Sequence, residues 1–157
     1  VINKSRFFNK EDIVSKSLKR SSSSRFTIFI LPEYTFINLQ YGDTKEEVES
    51  FRRTSNIDIQ NFEEVDLFND FEAISSLLKN LDLLISVSNT TAHVAGALGV
   101  PTWLIKPKNH ASFPYWNQIS DRTPWYGSIK LYDGNKNTKE IVNDLKIDLL
   151  KKFNLEE

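Results

Sequence analysis

The sequence predicts an α/β fold, a parallel sheet with helices on both faces. Three observations predict it. Short apolar runs suited to buried strands alternate about four times with stretches of helical spacing. Most connections between them are short, as crossover units require. One stretch, residues 82–101, holds a whole strand–elbow–helix–stop unit. Leu83 to Val87 is an apolar run, and Ser88, Asn89 and Thr90 are residue types that cap helices. Ala92 to Leu98 is a small-residue helix, closed by Gly99 and Pro101.

In chain order, residues 1–34 form a poorly defined N-terminal segment, truncated or divergent, and 35–157 the domain proper. Phe7, Phe8, Ile13, Val14 and Leu18 suit a helix face with Asn9 as its cap, Ser21 to Ser24 a loop, and Phe26 to Ile30 a strand. Thr35 to Gln40 reads as a strand ended by Gly42 and Asp43. Thr44 then begins a helix, with Glu47 three residues on as a capping box and Arg52 and Arg53 suiting its C-terminal end. Ile57 to Phe62 alternates as a strand does, and Glu63 to Asn69 is an acidic loop. Asp70 to Leu81 carries Phe71, Ile74, Leu77, Leu78 and Leu81 at helical spacing. After the central unit come a strand at Pro101 to Ile105, a long aromatic-rich loop from Lys106 to Thr123, and a strand at Ser128 to Tyr132. A last helix is capped by Thr138.

Composition narrows the function classes. With 20 Lys and Arg against 21 Asp and Glu, the net charge is −1, so no long-range field draws the chain to nucleic acid. There are no cysteines, which excludes disulfides, thiol nucleophiles and cysteine metal sites and suits a reducing, cytoplasmic setting. No run is apolar and long enough to span a bilayer, and no signal peptide is visible. With two histidines a His-rich metal site is out. Neither G-x-G-x-x-G nor the P-loop pattern occurs, and no convincing base–nucleophile pair is present. The chain opens on Val1 rather than Met, as a piece of a longer protein would.

In parallel α/β folds ligands sit at the carboxyl ends of strands, near the point where strand order reverses. Those ends here are mostly polar. The first turn of the Asn89–Thr90–Thr91 helix offers free backbone N–H groups, two hydroxyls and a positive dipole end, which suit a diphosphate. His93 sits one turn in, where the same field favours a neutral imidazole able to donate to a phosphate or ribose. The other reading of these residues is a well-capped helix with a hydrogen-bonded histidine, and spacing does not choose between the two. Gln40 and Tyr41 end a strand, where one could donate to a phosphate and the other cover a ring. Lys106 could add positive charge, with Lys108 and His110 beside it in what is by default a solvated basic loop. A carboxylate such as Asp66 could face ribose hydroxyls, although Glu63, Glu64 and Asp66 together suit a solvated loop. Phe113, Tyr115, Trp116, Trp125 and Tyr126 fill a core under the long loop or offer a sugar platform.

The runs Leu-Gln-Tyr-Gly-Asp43, Asp82 to Thr102 and Thr-Pro-Trp-Tyr126 resemble the C-terminal half of glycosyltransferases of the GT-B fold, over roughly residues 35–135. The likeness is to the family 9 heptosyltransferase-like proteins, often fused to tetratricopeptide repeats. A fainter one reaches the O-linked N-acetylglucosamine transferases, which share the Thr-Thr pair. Where heptosyltransferases have Asp-Thr at the elbow, this chain has Ser88-Asn89. The resemblance implies a Rossmann-like donor domain that binds a nucleotide-diphosphate sugar without a metal or other cofactor. Its diphosphate would rest on Asn89, Thr90, Thr91 and His93 with Gln40 nearby. Tyr41, Lys106 and the loop at Val65 and Asp66 would border the nucleoside or sugar. The reaction implied is inverting transfer to a hydroxyl of a glycan, lipid or protein acceptor, membrane-associated acceptors included, with the acceptor pocket and general base in a separate N-terminal half.

Overall fold

The computed structural model describes residues 13–16, 35–55, 59–106, 114–116 and 120–153, with 13–16, 54–55 and 114 described by backbone alone. Its strands are Ile13–Lys16 (β1), Thr35–Ile37 (β2), Ile59–Gln60 (β3), Leu83–Val87 (β4), Thr102–Ile105 (β5) and Ile129–Tyr132 (β6). They form one sheet in the order β3-β2-β1-β4-β5-β6. Every neighbouring pair is parallel. The helices are Lys45–Ser55 (α1), Phe71–Leu78 (α2), Thr90–Ala97 (α3) and Thr138–Lys152 (α4). This is the predicted α/β architecture, with Rossmann-like strand order.

Period-two alternation distributes the core to two faces. Leu84 faces Ile74 and Leu78 of α2 and Ala95 of α3, in one cluster with Ile37, Leu39, Leu81 and Val100. Leu83 belongs to the opposite cluster with Phe36, Trp103, Ile105, Tyr132 and Ile141, packed by Phe51 of α1 and by Leu145 and Leu149 of α4. Leu104, Ile129 and Leu131 extend the first face beyond α3, under Ala92, Trp116 and Tyr126. A strand buried on both sides is apolar at most positions, which is why Leu83 to Val87 reads as a nearly continuous run, broken only by the buried, hydrogen-bonded Ser86.

The strand order places the elbow. From β1 the chain steps outward to β2 and β3, and α2 carries it back to β4 on the other side of β1. The strand order therefore reverses between β1 and β4, and β4 runs directly into α3.

Several elements differ from expectation. Ile13 and Val14 are not on a helix: they lie in β1, a central strand paired with both β2 and β4. A four-residue strand gains its identity from those two partners rather than from its own residues. β2 ends at Ile37 rather than Gln40, because Asn38 turns its side chain to Thr44 and Asn61. β3 is Ile59–Gln60 and stops short of Phe62, while Ile57 and Asp58 lie outside the described residues. α2 stops at Leu78, although Leu81 beyond it remains buried. Asn137, not Thr138, caps α4: its side chain accepts from the Glu140 N–H at 3.0 Å while Glu140 accepts from the Asn137 N–H at 3.2 Å. The readings at Phe7, Phe8, Asn9, Leu18, Ser21 to Ser24 and Phe26 to Ile30 lie outside the described residues.

Candidate functional site

The β4–α3 elbow is built from the cap outward. Asn89 is extended and its side chain accepts from the Ala92 N–H at 2.9 Å, closing one of the open donors of the first turn. Behind it, the fully buried Ser86 hydroxyl lies 3.0 Å from the Val87 carbonyl and 3.3 Å from the Asn89 side-chain oxygen, and its single proton serves one or the other. Thr90 is exposed and Thr91 half-buried at the tip. At the far end Gly99, with φ of +72°, closes a Schellman motif: Val100 N–H donates to Ala95 at 2.9 Å and Gly99 N–H to Gly96 at 3.2 Å. Buried Val100 completes it from the core side.

An aromatic roof from the β5–β6 connection covers one flank of α3. The Trp116 indole N–H donates to Ser88 Oγ at 2.8 Å, and its ring stacks on His93 with centroids 4.6 Å apart. His93 Nδ1 lies 3.0 Å from the Tyr126 hydroxyl, and Tyr115 meets the imidazole edge-on at 5.3 Å. Burial lowers the His93 pKa, so the ring is neutral at pH 7. In the tautomer protonated at Nε2, Nδ1 accepts from Tyr126 and Nε2–H remains as a donor. Gly96 is the counterpart of this roof. A Cβ there would sit 2.6 Å from Tyr126 Cγ and 2.9 Å from Ile129 Cδ1, so Tyr126 can seat only because residue 96 has no side chain.

The electrostatics of the tip set it apart. α1, α2 and α4 each carry a carboxylate in the first turn, at Glu46 and Glu47, Glu72, and Glu140. The first turn of α3 has none, and its cap is an uncharged amide. The positive end of its dipole is therefore not neutralised from within the helix.

The remaining predicted residues spread along the same carboxyl edge. Gln40 and Tyr41 follow β2, which is separated from β4 by β1 alone, so they lie roughly 10 Å across the edge from the elbow at ordinary strand spacing. Their loop is fixed by Asn38, whose amide donates to Thr44 Oγ1 and Asn61 Oδ1, both at 3.0 Å, and whose Oδ1 accepts from the Gln40 N–H at 3.0 Å. Tyr41 meets Phe68 edge-on at 5.6 Å. Asp66 lies farther out, after β3, with its carboxylate engaged in its own loop. It accepts from the Phe68 and Asn69 N–H groups and the Asn69 amide, and these bonds hold its pKa low. Lys106 follows β5, next to β4, and its N–H donates to the Tyr132 carbonyl. Lys108, His110 and Phe113 lie outside the described residues. Sequence reasoning missed Ser86, Ser88, Asn38 and Thr123 as positioning residues. Asn38 and Ser88 are joined to Asn61 and Trp116, far off in the chain, while Ser86 serves its own elbow and Thr123 its own loop, and none of these roles leaves a signal in the residue type.

A groove of about 360 Å³ lies away from the elbow, between β6 and α4. Both its lysines are paired: Lys130 with Asp148 at 2.7 Å and Lys136 with Asp144 at 2.7 Å, and the Tyr132 hydroxyl donates to Asp148 at 2.6 Å. Burial, and then the bond to Asp148, raise the Tyr132 pKa far above the ordinary phenol value. Such a network ties α4 to the edge strand. Among the described residues no group of three or more His, Asp or Glu is placed to hold a metal ion. No helix among them is long and apolar enough to cross a membrane.

No family model matches the chain, and no solved structure matches it. The chain is similar to Protein FlbA of Caulobacter vibrioides, with 30% identity over 133 residues, a span covering 78% of this chain and 22% of that protein. These findings correct the resemblance to family 9 and GT-B glycosyltransferases, since no such family matches and the relative found does not carry a glycosyltransferase's name. The residues that carried it have a local explanation. Asn89 caps a helix, Gly96 admits Tyr126, Gly99 closes a Schellman motif, and Pro101 follows it. Any tightly seated strand-to-helix unit needs residues of these kinds, so the short motif is a signature of its geometry.

Proposed function

We propose that this domain binds a nucleotide-diphosphate sugar through its diphosphate, held at the tip of α3, and serves as the donor-binding part of a sugar transfer to an acceptor hydroxyl. One observation carries the reading: an uncharged cap and an acid-free first turn stand at the strand-order reversal between β1 and β4. The N–H groups of the first turn, the Thr90 and Thr91 hydroxyls and the helix dipole are the groups that would hold the anion. In a transfer reaction they would offset charge growing on the departing diphosphate, which is the role a metal plays elsewhere. Ser86, Asn89 and Trp116 keep the tip rigid, so little reorganisation accompanies binding. A general base and acceptor pocket would come from another part of the protein. A cysteine-free chain and this ligand class suit a cytoplasmic setting.

Calorimetry with ADP, GDP and UDP tests the proposal. At least one is expected to bind, and the double change Thr90→Val with Thr91→Val to weaken it by about tenfold or more, tenfold being the equivalent of one lost hydrogen bond to a charged group. Binding of none of the three would sink the reading. So would binding that the valine pair leaves untouched.

A further inference from the structure

We propose that Tyr115 and Trp125 form the platform on which the sugar ring of the bound donor lies. The inference rests on the diphosphate reading above and adds to it the place and chemistry of the group attached to the phosphate.

The aromatic residues of the β5–β6 connection divide into two sets. Trp116 and Tyr126 are sunk against Ala92, Leu104, Ile129 and Leu131 and serve the core. Tyr115 is 43% exposed and Trp125 60% exposed, yet neither is loosely held. Thr123, itself 4% exposed, brackets the two: its hydroxyl donates to the Tyr115 carbonyl at 2.6 Å and accepts from the Trp125 N–H at 3.3 Å. The rings stand 6.0 Å apart at 59°. Tyr115 in turn touches the His93 ring, which ties the pair to the first turn of α3. A buried hydroxyl thus pins the backbone from which two large, water-exposed rings project, an arrangement that core packing does not require.

The geometry favours a pyranose over a nucleobase. Rings tilted by 59° make an open wedge rather than a parallel slot, so a flat base cannot be sandwiched between them. A pyranose presents weakly positive C–H groups to the negative face of an aromatic ring and keeps its hydroxyls in water. Position agrees. In a nucleotide-diphosphate sugar the sugar is bonded directly to the phosphate, while the base is held off by ribose. The Tyr115–Trp125 pair adjoins the turn that would hold the diphosphate. The exposed Tyr41–Phe68 pair lies on the other side of the elbow, across β1, at a distance suited to the far end of the nucleoside.

The test compares each nucleoside diphosphate with its glucose conjugate by calorimetry on the whole chain, in the wild type, Trp125→Ala and Trp125→Phe. Trp125→Ala is expected to leave diphosphate affinity within about twofold and to weaken the conjugate by roughly threefold to tenfold, as loss of one aromatic face would, with Trp125→Phe recovering most of it. Acrylamide quenching of tryptophan fluorescence should fall with the conjugate and not with the diphosphate, because Trp103 and Trp116 are buried already. Equal weakening of both ligands, or of neither, overturns the platform while the diphosphate reading stands. Absence of any diphosphate binding in the wild type overturns both.

Discussion

Helices α2 and α3 start by the same rule and meet different surroundings. Each is eight residues long, and in each an Asx side chain accepts from the third following N–H at 2.9 Å, Asp70 from Ala73 and Asn89 from Ala92. Asp70 is exposed and charged, and Glu72 adds a second carboxylate, so α2 neutralises its own positive end in water. Asn89 is half-buried and neutral, with Ser86 behind it and Trp116, His93 and Tyr126 along one side. A cap alone therefore says little about binding. The charge of the capping residue and the rigidity of what stands behind it decide whether the dipole's field reaches a ligand.

The sharpest break in the comparison is the roof. Trp116→Ala is expected to cost about 3–5 kcal/mol of stability by urea denaturation, because it empties a buried ring site and strands the Ser88 hydroxyl. Phe71→Ala, at the exposed start of α2, should cost under about 1 kcal/mol. Similar losses at the two positions would mean that α3 is no more firmly seated than α2.

Gly96→Ala comes next. Alanine improves helix propensity by up to about 1 kcal/mol, but its Cβ would overlap the Tyr126 ring. Overpacking of that kind costs about 1–3 kcal/mol, so a net loss is expected. Combined with Tyr126→Ala the same change should become neutral or favourable, and a thermodynamic cycle reads the coupling directly. Simple additivity of the two changes would show that Tyr126 does not rest on residue 96.

A smaller exchange reverses the charge of the caps. Asn89→Asp keeps the bond to Ala92 and adds a favourable dipole interaction of about 0.3–1 kcal/mol, while Asp70→Asn loses a similar amount. Stability should move in opposite directions in the two variants. Diphosphate binding, measured on the same samples, should fall only in Asn89→Asp, where a carboxylate now occupies the field meant for the anion. Unchanged binding there would separate the tip of α3 from any ligand.

What the sequence disclosed follows from the range of each interaction. Leu83–Val87 and the Gly99 stop were legible because a doubly buried strand and a left-handed helix end leave signals within a few residues. Asn89 was legible as a capping type for the same reason. β1 was not, since its identity depends on β2 and β4, which lie on either side of it in space and follow it in the chain. The roof was legible only as an aromatic cluster. Which rings are core and which are exposed depends on contacts such as Trp116 to Ser88, 28 residues apart, and Tyr126 to His93, 33 apart. The elbow's resemblance to a known family misled for a related reason: a short motif reports the local geometry that it builds, and other proteins arrive at the same geometry.

The mildest test of the contrast is pH. Burial holds the His93 pKa below its ordinary 6.5, so on acidification the unfolded chain takes up a proton that the folded chain refuses. The contribution of this group to stability is therefore complete above about pH 6.5 and is lost as the pH falls from there through the folded-state value. Protonation would also end the ability of Nδ1 to accept from Tyr126, loosening the link between α3 and its roof. α2 has no such group in its first turn, and carboxylates such as Asp66 titrate lower and are common to both proteins being compared. Stability measured between pH 7.5 and 5.5 in the wild type, minus that of His93→Gln, should decline toward acid by a small amount. A flat difference would place His93 in water rather than under the ring of Trp116, and a rise toward acid would mean that a carboxylate reaches it and that the tip of α3 is not the uncharged end described above.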